Sequence, residues 1–300
     1  MNKFPLVTVI CTCYNHEDFV IDTIKSVLNQ SYSNIEIIII DDYSIDNSVE
    51  KITSFIINYP FIKFIQNRKN LGITKTFNKA SKHANGDFLV DLACDDILLP
   101  RCIEIQVNHF LETDTELTGV VFGNSEIIDR HGDFISYYFS INKDRHVIDK
   151  TLHKIDLIKL LSGGLILNSA SSMINRKIFD KLNGYDETLA FEDLDYWIRV
   201  LEHYKIVFID HILTQKRDLN TSLGSHFSKR TSLSTKINNS MNIIFSNVIS
   251  KYKCDKLILK AILKRVHFNL DRALKSGNMR FVYKFSIQKI KIHYYLIFSK

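Results

Sequence analysis

The sequence predicts an α/β protein with a mostly parallel sheet flanked by helices and a C-terminal helical extension. Three observations carry that prediction. Short β-branched runs alternate with segments of helical period from residue 6 to residue 93. Those runs are apolar throughout rather than every second residue, as parallel strands covered on both faces are. Beyond residue 228 the pattern turns purely helical and the charge turns basic. At 300 residues, 45% hydrophobic and 24% charged, the chain can bury a full core, which excludes a disordered chain and a disulfide-stapled miniprotein.

The elements follow in order. LVTVICTC from Leu6 to Cys13 reads as a first strand, and Phe19, Ile24, Val27 and Leu28 mark a helix. IEIIIID from Ile35 to Asp41 completes a β-α-β unit. A helix over Ser48–Tyr59, a strand at Phe61–Ile65, a helix over Thr74–His83 and a strand at Asp87–Ala93 continue the alternation. TGVVFG and EIIDRHGDFISYYFS, within Leu117–Arg145, predict two further strands, and Thr151–His203 predicts helices with a strand near Ser169–Ile174. In the tail, Leu259, Ile262, Leu263, Val266, Leu270, Ala273 and Leu274 fall at helical spacing among lysines and arginines.

The formal net charge of +6 hides two opposed regions. Residues 229–300 hold 16 lysines and arginines against Asp255 and Asp271, a net of +14, which leaves −8 for residues 1–228. This places a boundary near 228, with a catalytic domain over 1–228 and a basic helical region over 229–300. The acidic part suits a metal-requiring reaction and the basic part suits contact with something anionic. No run approaches the roughly 18–20 apolar residues of a membrane span. No small-residue cleavage site follows the short apolar N-terminus before Glu17 and Asp18, which predicts a cytoplasmic chain without a signal peptide. Five cysteines, an odd number with no CxxC pair, suit a reducing compartment and argue against a structural zinc cluster.

In parallel sheets ligands sit beyond the carboxyl ends of the strands, which directs attention to Thr12–Glu17, Asp41–Ser44 and Asp95–Asp96. A carboxylate at such an end can accept the imide N–H of a uracil or thymine ring, and a tyrosine can stack on it. The ordinary turn and helix-cap reading of Asp41-Asp42-Tyr43-Ser44, with Ser44 or Asp46 as cap, stands beside this one. Cys94-Asp95-Asp96 puts two adjacent carboxylates after an apolar run, where they repel unless a cation or hydrogen bonds offset the cost. Mg²⁺ or Mn²⁺, which takes one or two carboxylates plus substrate phosphates, fits so sparse a ligand set better than zinc. The alternative is an exposed turn before a helix at Pro100. Glu192-Asp193-Leu194-Asp195, ahead of Tyr196 and Trp197, puts carboxylates at a helix start, either as a general base or as plain dipole-complementing charge.

Taken in order, VTVICTCYN, the helix ending VLNQSY, IEIIIIDDYS, NLGITKTFNKA, GDFLVDLACDD and GYDETLAFEDLDYWIR resemble the family 2 glycosyltransferases. These are inverting enzymes of the GT-A fold, Rossmann-like, that use a nucleotide-diphospho sugar. The resemblance covers about Val7 to Arg199. It implies that Thr12, Tyr14, Glu17, Asp42, Lys75, Asn78, Asp95 and Glu192 contact the donor, with Asp42 reading a pyrimidine base and Gly72 in the same nucleotide segment. It further implies Asp96 as ligand of Mn²⁺ or Mg²⁺ and Asp193 as catalytic base. The chain departs from the pattern in three places. Phe77 stands where many relatives have Arg, Ala93 replaces an aspartate two residues before Asp95, and Leu219 falls where a histidine is common after Lys216-Arg217 and before Asn220-Thr221-Ser222. His211 and His226 are left as loose candidates for a third metal contact.

The resemblance implies transfer of one sugar, UDP-linked, to a glycan or lipid-linked acceptor in bacterial surface polysaccharide synthesis. With no Gln-x-x-Arg-Trp segment and no spans, the processive synthases match poorly. The basic tail leaves two readings open: a helix on an anionic membrane face, or a helical pair packed on the catalytic domain or across a homodimer seam. A nucleic-acid partner is excluded by the acidic character of the motif-bearing region. A nucleotidyltransferase would carry a Gly-rich loop after the first strand, which Thr12-Cys13-Tyr14-Asn15-His16 lacks, and an inactive GT-A-like module would have no call for Asp96 and Asp193.

Overall fold

A computed structural model describes residues 4–163, 167–219 and 231–298. Nine strands among them form one sheet: β1 (Val7–Cys13), β2 (Ile35–Asp41), β3 (Lys63–Gln66), β4 (Phe88–Ala93), β5 (Ile97–Leu98), β6 (Thr118–Ile128), β7 (Phe134–Tyr137), β8 (Ser172–Asn175) and β9 (Lys205–Arg217). The order is β3-β2-β1-β4-β8-β6-β9-β5, with β7 paired to β6. The first four positions are parallel. β8 then runs antiparallel to both β4 and β6, while β9 runs parallel to β6 and antiparallel to β5.

The helices are α1 (Val20–Leu28), α2 (Ser48–Ile56), α3 (Ile73–Ser81), α4 (Cys102–Glu112), α5 (Leu157–Leu161), α6 (Arg176–Lys181), α7 (Glu192–Leu201), α8 (Ser232–Lys251), α9 (Lys256–Lys275) and α10 (Met279–Phe298). Every residue of β1 is buried, which explains its unbroken apolar run. Val7, Val9 and Cys11 share a core with Ile37, Ile39 and Val90, closed by Val20, Ile24 and Val27 of α1 and by Ile103 and Val107 of α4. The alternate residues Thr8, Ile10, Ile38 and Ile40 are buried on the other side, and α3 packs on β1 and β2.

Two sequence expectations are corrected. The two strands predicted between Leu117 and Arg145 divide elsewhere: β6 runs unbroken through Asn124 and Ser125 to Ile128, and β7 keeps only Phe134–Tyr137. The thirteen-residue β9 was not expected at all.

Spatially the chain divides into two compact units. The first is Met1–Lys154, Leu167–Tyr185 and His203–Asp218 and holds the whole sheet; the second is Ile155–Ile166, Asp186–Glu202 and Leu219–Lys300. The division at 228 rests on charge and this one on contact. Within the second unit, Ala190 N–H donates to Ser240 Oγ at 2.8 Å, and Glu202 accepts from Tyr252 Oη at 2.8 Å and pairs with Lys251 at 2.7 Å.

Candidate active site

The first unit gathers the acidic motifs at one end of the sheet because β1 lies between β2 and β4, all parallel and in register. Cys13 pairs with Asp41, and Thr12 with Ala93. The ladder runs one step further on each side, Asp42 N–H to Cys13 O at 2.8 Å and Cys94 N–H to Thr12 O at 2.9 Å. The residues after each strand therefore emerge side by side.

After β1, Asn15 takes a left-handed φ of 57° and after β2, Tyr43 takes one of 69°. For a bulky residue such as tyrosine this conformation is strained and persists only where the surroundings impose it. Here Asp41 imposes it. Its carboxylate accepts the Ser44 N–H at 3.0 Å and the Ser44 hydroxyl, whose oxygen accepts the Asn15 N–H at 2.9 Å. Tyr14 and Tyr43 are thereby left exposed, at 45% and 48%, as two aromatic surfaces on neighbouring loops. Glu17 is held on its side by Asn47, which donates its main-chain N–H at 3.1 Å and its amide at 2.7 Å. Asp46 accepts the N–H groups of Glu17 and Ser48 and so performs the turn-closing part of the alternative reading.

Asp42 is buried and clamps the loop before α3. Oδ1 accepts from Asn67 Nδ2 at 2.9 Å and Leu71 N at 2.8 Å, and Oδ2 accepts from Gly72 N at 2.8 Å. Gly72, at φ 85°, adopts a backbone that side chains resist, and it starts α3, whose first turn carries Lys75, exposed. Asn78 lies deeper. Its amide donates to Tyr185 O at 2.8 Å and its Oδ1 accepts Tyr185 N–H at 3.1 Å, so its side chain braces the Tyr185 backbone. Phe77, where the resemblance leads to the expectation of an arginine, is fully buried against Phe179 and Tyr185.

Asp95 and Asp96 form the turn after β4. Asp96 is 5% exposed. Burial, then the neighbouring Asp95 charge, push its carboxyl up to about 8, against the lowering effect of the Arg217 N–H. Three groups fix the turn: Thr23 Oγ1 donates to Asp96 O at 2.8 Å, Arg217 N–H to Asp96 Oδ1 at 2.9 Å, and Arg217 Nε to Asp95 O at 3.0 Å. The Arg217 guanidinium also donates to the carbonyls of Asp129 and Arg130 and lies 4.6 Å from the Phe19 ring centroid. His16 Nε2 stands 3.9 Å from Asp95 Oδ2.

Among the described residues, no group of three or more His, Cys, Asp and Glu could hold a metal ion. The fit of a divalent cation rests on Asp96 itself, a buried carboxyl with a carboxylate neighbour and one protein donor on Oδ1. That suits a hard ion completed by phosphate and water. Thr12, opposite Ala93 in the ladder, and His16, whose Nε2 faces Asp95, each bury a polar atom, Oγ1 and Nδ1, with no hydrogen-bond partner, a state that costs free energy until a ligand satisfies it. His211 is exposed on β9, and His226 and Asn220-Thr221-Ser222 lie outside the described residues.

In the second unit, Glu192 and Asp193 open α7, where the helix dipole favours negative charge. Glu192 is buried, and Asp193 Oδ1 accepts the Leu194 N–H at 2.7 Å. Asp195 pairs with Arg199 at 2.7 Å, yet burial holds its carboxyl above the ordinary value. Arg265 of α9 donates to Leu160 O at 2.9 Å. Burial draws its guanidinium down to about 10, opposed by the Asp193 carboxylate, and its Nε is buried without a partner.

Sequence reasoning inspected Tyr43 as a stacking residue without assigning it to the site, and missed His16, Arg217 and Arg265. His16 sat within the inspected Thr12–Glu17 segment and Arg217 within a motif, whereas nothing in the sequence brings Arg265 to the side of Asp193.

The fold is the GT-A arrangement of glycosyltransferases. S. aureus TarS matches with a TM-score of 0.63 at 16% identity over 97% of this chain and 52% of that one. Its 1–349 portion was solved with UDP and with UDP-GlcNAc. Mannosyltransferase PcManGT of Pyrobaculum calidifontis, solved with GDP-Man and Mn²⁺, matches with a TM-score of 0.60 at 15% identity over 98% and 86%.

The chain belongs to glycosyltransferase family 2: the family model described as Glycosyl transferase family 2 matches residues 8–182. An uncharacterized glycosyltransferase of Rickettsia felis is 30% identical over 214 residues, 71% of this chain and 34% of that one. The putative glycosyltransferase EpsE of Bacillus subtilis is 30% identical over 206 residues, 67% and 69%. Chondroitin synthase of Escherichia coli is 31% identical over 136 residues, 45% and 19%. The match spans about a third of the length of the Rickettsia felis relative.

Proposed function

We propose that this chain is a non-processive, inverting glycosyltransferase. It moves one sugar from a nucleotide-diphospho sugar, UDP-linked, to a hydroxyl of a glycan or lipid-linked oligosaccharide, in building bacterial surface polysaccharide on the cytoplasmic side. The observation that carries the reading is the buried Asp96 carboxyl, held by the Arg217 N–H next to the repelling Asp95 charge, in a cluster of strand ends where Thr12 Oγ1 and His16 Nδ1 lack partners. Such an arrangement is costly in a protein that binds nothing there. The nucleotide and Mn²⁺ complexes named for TarS and PcManGT support the donor class, and chondroitin synthase supports a glycan acceptor.

In this reading Tyr14 and Tyr43 flank the base and Thr12 Oγ1 gains its missing partner from the nucleoside. Asp42 acts chiefly by fixing the Asn67–Gly72 loop from which Lys75 reaches the diphosphate. Asp96, with Asp95, would hold Mn²⁺ or Mg²⁺, which supplies charge neutralisation at the departing diphosphate. Asp193 removes the proton from the acceptor hydroxyl as its oxygen attacks the anomeric carbon, the bond to the diphosphate breaks, and the configuration inverts. Glu192 contacts donor or acceptor beside it.

Calorimetric titration of UDP, dTDP and GDP tests the donor site, with Mn²⁺ or excess chelator, in wild type and Asp96→Ala. Metal-dependent binding of one pyrimidine diphosphate, lost in the variant, is expected. Binding of none would turn the reading towards an inactive module of the same fold.

A further inference from the structure

Helix α10 carries two apolar faces. One is internal: Phe281, Phe285, Gln288 and Ile292 are buried, and Gln288 donates its amide to Asn242 O of α8 at 2.8 Å. The other is open. Met279, Tyr283, Ile287, Ile290, Tyr294 and Ile297 are exposed at 67, 69, 40, 67, 57 and 69%. At 3.6 residues per turn these six fall within an arc of roughly 100°, on the side away from the buried four. A surface helix ordinarily puts polar residues there, and so long an exposed apolar stripe marks a contact surface.

The charges on α10 say what the contact is. Arg280, Lys284, Lys289 and Lys291 are its only ionisable residues besides His293 and the tyrosines, and it has no Asp or Glu. On the same helical projection Arg280 and Lys291 border the stripe on one side, with half-buried Lys284 beyond them, and His293 borders it on the other, with half-buried Lys289 further round. We propose that this face of α10 docks on an anionic lipid bilayer. The helix would lie in the plane of the interface with its stripe at the boundary of headgroups and acyl chains, where the amphipathic Tyr283 and Tyr294 rings belong, and its lysines and arginines towards the lipid phosphates. No described helix is long and apolar enough to cross a membrane, which fits lying on the surface. A second copy is the weaker occupant, because two such helices side by side would set basic flank against basic flank with no acidic residue to pair. The net of +14 over residues 229–300 extends the same complementarity.

The test is flotation of the full chain with vesicles of phosphatidylcholine alone or mixed with phosphatidylglycerol, alongside sedimentation equilibrium without lipid. Wild type is expected to float with the anionic vesicles, less so at high salt, and only weakly with the neutral ones. Ile290→Glu with Tyr294→Glu abolishes flotation, and Arg280→Gln or Lys291→Gln weakens partition roughly fivefold each. Because these side chains are exposed, far-UV circular dichroism and the UDP titration stay at wild-type values, which separates failure of this site from failure of the donor site. Absence of flotation, flotation that survives the double variant, or a lipid-independent dimer that the double variant dissociates would each overturn the assignment, the last giving the face to a second copy.

Discussion

The main-chain N–H of Arg217 donates to Asp96 Oδ1 at 2.9 Å across 121 residues of sequence. The same arginine's guanidinium holds the carbonyls of Asp95, Asp129 and Arg130. One buried cation thus ties the acidic turn after β4 to the end of β9 and to the β6–β7 connection. Arg217→Ala leaves three carbonyls without their charged donor and is expected to cost about 3 kcal/mol or more in urea unfolding. Arg217→Lys should restore little, since an ammonium cannot span that set of acceptors as a planar fork does. A wild-type urea midpoint in the alanine variant would remove the clamp from the account.

Asp96 makes stability depend on pH in a definite direction. Its native carboxyl is pushed from the ordinary 3.8 up to about 8, so between those values the folded protein holds a proton that the unfolded chain has released. Stability must therefore fall as pH rises through that window, and level off above it. Asp96→Asn lacks this loss. In metal-free buffer the melting temperature of the variant should match wild type near pH 4, pull ahead by several degrees by pH 8, and stay ahead. Parallel curves across the range would show that the carboxyl is not perturbed.

Asp193→Asn keeps the shape of the side chain and removes its basicity. Sugar transfer is expected to fall about 10²- to 10⁴-fold, the usual contribution of a general base, while the heat of UDP binding stays within error of wild type. Full transfer activity would assign Asp193 to helix-end charge alone.

The cysteines offer a check on the packing. Cys11, Cys94 and Cys102 are buried and their thiols are raised, Cys11 to about 12, by loss of hydration. Cys13 is buried and Cys254 exposed. Ellman's reagent should modify one thiol in the native protein, at Cys254, and five in guanidinium chloride. Modification of a second thiol without denaturant would mean that the β1–β4 core opens.

Much of the first half of the fold is legible in the sequence because β1, β2 and β4 are buried on both faces and so read as plain apolar runs. β6 reads as two strands because Asn124 and Ser125 interrupt it. Their polarity is met by distant partners, Asn124 donating to Phe139 O and Ser125 bonding to Thr214 and Asn168, and a linear reading sees only the interruption. β9 escapes for a related reason: after Ile206–Ile209 it runs through Asp210, His211 and Gln215, and register shifts accompany its pairing with β6. The acidic site residues stand out because carboxylates at the ends of apolar runs are conspicuous. His16, Arg217 and Arg265 do not, since each acquires its meaning from a partner outside its own segment.

The position of Arg217 in the chain also sets an order of events during synthesis. Every acidic motif of the sheet is synthesised by residue 96, yet the strand that carries the clamp is complete only at residue 217. A nascent chain cut short of β9 would hold the full set of carboxylates with Thr23 but without the Arg217 donors that fix the turn presenting them. Pairing β9 with β6 and fixing the acidic turn are then one step, delayed by the long-range contact on which both depend.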